Sequence, residues 1–292
     1  MLKKGAHLFL SCIFLFLLNI GYSQPAAPNT KSLLWRISSK EMKRPSYLFG
    51  TIHMICTEDY LWTPAMKKSL SNCDEVCFEM DLDKPSLLME VAAGMIDNSG
   101  KQLPDYFSAD DYKKIEKFLA DSFSMNITMF TQMKPSALEA IFATKLLNCA
   151  VPSSYENNIL EEAKKQDKKI SGLEDASEQL ALFDNIPADS IIKDLLKMVN
   201  SYSEEKEMYA KMLQAYKKQD LPALFDMISK SKELGDNTGA FLDDRNEKWI
   251  GRMVDKMDQN SVFFAVGAGH LWGDKGLITL LRNANYTVEP VK

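Results

Sequence analysis

Ser46-Tyr47-Leu48-Phe49-Gly50-Thr51-Ile52-His53 is an apolar run that ends in a glycine, with a histidine three residues on. Val262-Phe263-Phe264-Ala265-Val266-Gly267-Ala268-Gly269-His270 repeats the device near the other end of the chain. Each run reads as a strand that delivers a Gly-x-x-His turn at its carboxyl end. The chain has three histidines, and the third, His7, lies in a segment with the character of a removable leader. Glycine fills 13 of 292 positions, so this spacing before both remaining histidines arises by chance about 0.2% of the time. The rest of the chain can be read as what brings these two turns together.

Two further strand ends carry acids. Val76, Phe78 and Met80 alternate with Cys77, Glu79 and Asp81, a strand whose second face turns acidic toward its carboxyl end. Lys169-Ile170-Ser171-Gly172-Leu173-Glu174 is a shorter run that closes on glycine-x-acid. In open α/β sheets the ligand site lies outside the carboxyl ends of the strands. His53, Glu79, Glu174 and His270 all fall at or just past such ends.

Outward from these runs, residues 32–37 read as a strand that forms a hairpin with the Tyr47 run across the polar turn 38–45. Thr63-Pro64 is an N-cap followed by proline at the first helical position, predicting a helix to about residue 71. Helices follow at 85–96, after Ser108, at 135–147 and at 154–166. From 176 to about 257 the pattern is nearly all helix, broken at Pro187, at Asp220-Leu221-Pro222 and at 235–239. A helix across 278–282 and a strand at 286–288 close the chain. The expected fold is a single α/β (α+β) domain. It has a central mixed sheet, an N-terminal hairpin, flanking helices and a largely helical insertion at about 176–257.

Residues 1–23 have a charged start (Lys3, Lys4), an apolar stretch and small residues at Gly21 and Ser23, which reads as a secretory signal peptide cut after Ser23. The folded domain is then 24–292, exported to a periplasmic or extracellular place. Leu10-Ser11-Cys12 faintly resembles a lipoprotein signal, but the apolar run continues past Cys12, which argues against anchoring there. No later stretch is long and apolar enough to span a bilayer. Loss of Lys3 and Lys4 takes the formal charge from −5 to −7. So acidic a chain is a poor nucleic-acid binder, for which a basic surface supplies most of the affinity. Export permits disulfides among Cys56, Cys73, Cys77 and Cys149, with the pairing left open. Cys73 and Cys77 have metal-pair spacing, but there is no second half, so buried or bonded thiols are expected.

Two neutral imidazoles and a carboxylate form a first shell for a catalytic divalent metal, which would lower the pKa of a bound water and polarise a carbonyl. His53 and His270 are the expected metal ligands. Glu79 is the first choice for third ligand or general base, with Glu174, Asp81 and Asp83 in reserve. Gly50, Gly267 and Gly269 are expected to allow positive φ and close backbone approach, letting each histidine turn back over its strand end. Against this stands packing, the usual role of a histidine beside a strand, and the surface, the usual place of an acid or of the charged helix around Arg245. A metal-free hydrolase using His53 and Glu79 as an acid–base pair is a further reading. GxSxG, HExxH and P-loop motifs are absent.

Leu34-Trp35-Arg36-Ile37, the run from Tyr47 to His53 and Phe78-Glu79-Met80-Asp81 resemble the amino-terminal signature of the TraB/GumN family. Gly172-Leu173-Glu174 with Gln179, Arg245-Asn246, and the run from Val266 to Leu271 resemble its later blocks, so the likeness covers about residues 30–292. The family includes TIKI-type proteases, and its fold is similar to the erythromycin-esterase and ChaN group. The resemblance implies a metal-dependent peptidase with manganese or cobalt, zinc being a third choice, and a peptide or protein substrate. It implies His53 and His270 as the histidine pair, Glu79 as the acid and Arg245 as an oxyanion or carboxylate partner. The alternative it carries is a non-catalytic, exported ligand- or haem-binding protein in which the histidines serve as anchoring ligands. The cysteines near the first motif depart from the family pattern.

Overall fold

The computed structural model describes residues 31–144, 146–147, 149–230 and 238–292. The expected leader, with His7 and Cys12, lies outside the described residues.

The chain begins with β1 (Leu34–Ser38) and β2 (Ser46–Thr51), an antiparallel hairpin with Leu34 opposite Phe49. A short β3 (Met54–Cys56) leads to α1 (Pro64–Ser71), where Thr63 Oγ1 accepts the Met66 N–H at 3.2 Å. Next come β4 (Glu75–Met80), α2 (Leu87–Gly94), α3 (Ala109–Phe123) and α4 (Pro135–Thr144). After β5 (Pro152–Ser154), α5 (Tyr155–Lys165) and β6 (Lys169–Glu174), the chain is helical through α6 (Ala176–Asp184), α7 (Ala188–Asn200), α8 (Tyr202–Lys217) and α9 (Leu221–Ser229). A π-helical turn (Gly239–Asp243) opens directly into α10 (Asp244–Gln259). The chain closes with β7 (Val262–Gly267), α11 (Leu277–Asn283) and β8 (Thr287–Pro290).

Six strands form one mixed sheet in the order β6-β4-β7-β2-β1-β8. The pairs β6–β4, β4–β7 and β7–β2 are parallel, while β1 runs against both β2 and β8. The expected α/β domain with a mixed sheet and an N-terminal hairpin is what the chain forms. Helices on both faces explain the sequence of the inner strands. All six residues of β2 and the first five of β7 are buried, so they read as continuous apolar runs rather than alternating ones. Phe49, Phe78, Phe263 and Phe264 are essentially unexposed at the centre of this core.

A second core sits among helices. Leu103, Ile115, Leu119, Phe142 and Leu195 meet there, drawn from α3, α4, α7 and the turn before α3. The helices that precede β6 therefore join α7 from the helical stretch that follows it.

Cys56 and Cys149 form a disulfide, and Cys73 and Cys77 are free and buried. The bridge lies beside a two-stranded sheet, β3 with β5, in which Met54 stands opposite Ser154. Strands of three residues carry too little periodicity to be read from sequence. No helix among the described residues is long and apolar enough to cross a membrane.

Candidate functional site

The four parallel strands β6, β4, β7 and β2 are neighbours, so their carboxyl ends lie side by side on one edge of the sheet. Glu174 is the last residue of β6, Glu79 the last but one of β4, and β7 runs into a 3-10 turn, Ala268–His270. His53 follows the end of β2 by two residues. The residues singled out in the sequence are placed on this edge by strand order alone.

Helix α10 supplies the group that ties three of them together. Arg245, Asn246 and Trp249 lie at i, i+1 and i+4, one buried stripe of the helix. The Arg245 guanidinium donates through Nη2 to Glu79 Oε2 at 2.6 Å and to Glu174 Oε1 at 2.5 Å. Its Nε reaches Glu174 Oε2 at 3.3 Å, and its Nη1 reaches the Phe241 carbonyl and His270 Nε2, each at 3.1 Å. Trp249 Nε1 donates to Glu174 Oε2 at 3.1 Å, and the indole packs against both the guanidinium and the His270 ring.

The protonation of His270 follows from its neighbours. Asn246 Nδ2 donates to two backbone carbonyls, those of His270 (3.1 Å) and Lys275 (2.9 Å). Its Oδ1 is therefore the atom 2.8 Å from His270 Nδ1, and that nitrogen must carry the proton. The Nε2 lone pair then faces the Arg245 N–H, so the ring is neutral. Burial disfavours the charged imidazolium and pushes its pKa down to about 3, against the pull of Glu79.

Glu79 is the opposite case. Burial disfavours its charge, but the Arg245 guanidinium, the charged His53 ring and the Gly267 N–H outweigh this and hold the carboxyl at about 2, while the neutral His270 adds no charge of its own. Gly267 N donates to Glu79 Oε1 at 2.8 Å, and Gln179 Nε2 to Oε2 at 3.2 Å. The carboxylates of Glu79 and Glu174 in turn outweigh burial and hold the Arg245 pKa above its ordinary value.

The motif glycines act by close approach rather than by positive φ. Gly267 has φ −53°, and the described glycines with positive φ are Gly100 and Gly273. A Cβ on Gly267 would lie 3.3 Å from Glu79 Oε1, and one on Gly50 would lie 3.1 Å from Ala268 Cα. The expected left-handed turn at Gly50, Gly267 and Gly269 is thus corrected. Bare backbone lets the Glu79 carboxylate and the 268–271 turn come in.

His53 is placed differently. Its side chain is 75% exposed, and its Nδ1 lies 3.2 Å from Glu156 Oε1. The Glu156 hydrogen bond pushes the imidazole pKa up, and the charges of Glu79 and Arg245 act on it as well, so it stands at the rim of the same edge. Asp81 and Asp83 do other work. Asp81 Oδ1 accepts the Asp83 N–H in a turn, and Asp83 pairs with Lys164 at 2.7 Å. Glu156 escaped the sequence reading, because an acid in the first turn of a helix is ordinary; its one signal was the start of α5 directly after a strand.

The donors do not fit a metal as they stand. Among the described residues no group of three or more His, Cys, Asp or Glu side chains is arranged to hold an ion. None of their buried side-chain nitrogens or oxygens lacks a hydrogen-bond partner. The His270 Nε2 lone pair is taken by Arg245, whose guanidinium already supplies the positive charge between the two carboxylates.

Several known proteins are similar to this chain. It is 22% identical over 319 residues to "Metalloprotease TIKI2" of Danio rerio, an alignment covering 88% of this chain and 60% of that protein. It is 22% identical over 321 residues to "Metalloprotease TIKI1" of Xenopus tropicalis, covering 88% and 61%. It is 21% identical over 334 residues to "Metalloprotease TIKI1" of Homo sapiens, covering 91% and 63%. The chain thus spans about three-fifths of the length of these relatives. No solved structure matches it. The profile of the TraB/PrgY/gumN family matches residues 33–290, nearly the whole described chain. On that match, the chain belongs to the TraB/PrgY/gumN family.

Proposed function

We propose that this protein is an exported hydrolase of peptide bonds, acting at the edge where Glu79, Arg245 and His270 meet and His53 stands at the rim. The observation that carries this is the buried Glu79–Arg245–Glu174 cluster, centred on a cation held 2.6 Å from Glu79 and capped by a neutral His270. Buried charges are costly unless paired, and so full a network at a strand-end site points to chemistry. The names of the distant relatives point to proteolysis.

Water adds to the substrate carbonyl carbon as its proton passes to Nε2 of the neutral His53 ring, a form that the raised pKa of about 9 makes abundant only at alkaline pH. Arg245, whose five N–H groups are engaged within the cluster, offers its charge rather than a hydrogen bond to the oxygen that becomes negative. As the C–N bond breaks, the proton on His53 goes to the leaving nitrogen, which departs as an amine. Glu79 and Glu174 keep the guanidinium aimed at the edge. His270, locked by Asn246, supports it from the other side.

A second reading, a metallopeptidase using manganese, cobalt or zinc, is favoured by one distance. His270 Nε2 and Glu79 Oε1 are 3.9 Å apart, and these two residues would be the ones to hold an ion, which would supply the Lewis acid. That reading requires Arg245 to leave the His270 lone pair. The haem-anchoring alternative has less support, since both ring nitrogens of His270 are engaged.

The test is cleavage of a peptide library, read by mass spectrometry, in chelator and in added manganese, cobalt or zinc, together with elemental analysis. Cleavage that is lost in His53→Ala and in His270→Ala supports the hydrolase reading. No cleavage in any condition, or full cleavage in both variants, contradicts it. Cleavage abolished by chelator and restored by one ion selects the second reading.

A further inference from the structure

We infer that Glu156 is a positioning residue for His53: it fixes the ring with Nδ1 protonated and turns Nε2 toward the reaction edge. The inference rests on the hydrolase reading above and adds a residue to it.

Glu156 lies in the first turn of α5, where an acid ordinarily serves the helix end. That task is already filled, since Ser154 Oγ caps the helix by accepting the Asn157 N–H at 3.2 Å. Glu156 turns instead toward the end of β2. Its Oε1 accepts from Thr51 Oγ1 at 2.7 Å and from His53 Nδ1 at 3.2 Å, while Oε2 accepts from Ser154 Oγ at 3.2 Å. The Thr51 and Ser154 hydroxyls donate to the two carboxyl oxygens, so Glu156 acts as an acceptor on both sides. An ionised carboxylate can only accept, so the proton between the two groups sits on His53 Nδ1. When the ring is neutral, Nε2 therefore holds the lone pair, on a ring that is three-quarters exposed.

The backbone around His53 is built to hold this geometry. Tyr216 Oη donates to the Gly50 carbonyl at 2.9 Å, and Tyr209 Oη donates to the Met54 carbonyl at 2.7 Å, both from α8. Met54 pairs with Ser154 across the β3–β5 sheet, which sets Glu156, two residues on, against the His53 turn. The Cys56–Cys149 bridge and the Thr57 N–H, which donates to the Val151 carbonyl at 3.1 Å, close the far end of the same sheet. An exposed ion pair contributes little to stability. Two tyrosines, a sheet and a disulfide hold the chain before and after His53, a fixed frame in which Glu156 can aim its Nε2.

The experiment is 15N NMR of the imidazoles in the whole protein, recorded with the His53 ring neutral, for the parent, Glu156→Gln and Glu156→Ala. The chain has three histidines, so few ring signals compete, and an unchanged His270 signal reports an intact fold. In the parent, His53 should show protonated Nδ1 and a lone pair on Nε2. In Glu156→Ala it should become a mixture of tautomers, with Glu156→Gln in between. On a cleaved peptide, kcat should fall about 10- to 100-fold with KM within about twofold. An unchanged His53 tautomer in Glu156→Ala overturns the inference, as does a changed tautomer with unchanged kcat. If the parent cleaves no peptide, the hydrolase reading fails on its own, and the ring signal still decides what Glu156 does.

Discussion

His53 and His270 follow the same glycine spacing from neighbouring parallel strands, yet the side chain of one is 75% exposed and that of the other 4%. The difference comes from what covers each turn. Helix α10 lies over the β7 turn and engages both ring nitrogens of His270 through Asn246 and Arg245. The β2 turn is held from its sides by α5 and α8, and among the described residues its ring is gripped at Nδ1 alone. Burial makes His270 a neutral, fixed support for Arg245. Exposure beside a carboxylate makes His53 a basic group that is ready to exchange a proton. One motif has become two roles, and the contrast can be tested at several magnitudes.

The largest effect should come from Arg245→Met, which strands Glu79 and Glu174 in a buried place without their cation. Urea denaturation should show a loss of about 3–5 kcal/mol. The acid limb of stability comes next, and it belongs to the buried turn. His270 falls from 6.5 to about 3 on folding and Glu79 from 4.5 to about 2. The unfolded chain therefore binds more protons in these windows. Stability should drop as pH falls from about 6.5 toward 3, and further toward 2. Denaturation midpoints across pH should show the upper part of this slope flattened in His270→Gln.

The disulfide belongs to the exposed turn. Its removal in Cys56→Ser/Cys149→Ser should cost about 2–4 kcal/mol. Hydrogen exchange should rise at 54–56 and 152–154, while the amides around Gly267 and Asn246 keep their protection. The smallest effect should come from His53→Ala, within about 0.5 kcal/mol at neutral pH. Its raised pKa contributes stability that is present below 6.5 and lost as pH rises toward 9, and solvent screening keeps that term small.

The centre of the sheet was legible because its inner strands β2 and β7 are buried on both faces. Runs such as Val262 to Val266 cannot be solvent-facing, and the Thr63-Pro64 cap marks the start of α1 at the residue observed. The convergence of His53, Glu79, Glu174 and His270 followed from strand ends alone. Less visible was what lies over those ends. A charged run such as Asp243-Asp244-Arg245-Asn246 reads as a solvated helix face, yet Arg245 and Asn246, directly after a π-helical turn, are buried. Glu156 was hidden for a related reason: its partner is 103 residues away, and only the three-residue strands β3 and β5 bring the two together. Of the two roles expected of the glycines, close approach is seen and positive φ is not, because spacing cannot separate a need for one from a need for the other.

The central claim is that two histidines from opposite ends of the chain serve one reaction centre. The measurement that tests it most directly is a double-mutant cycle on peptide cleavage, comparing kcat/KM for the parent, His53→Ala, His270→Ala and the double variant. Groups that act as a unit show strongly non-additive losses. The double variant should therefore lose scarcely more than the worse single one. Losses that multiply, with each histidine acting independently of the other, would contradict the account.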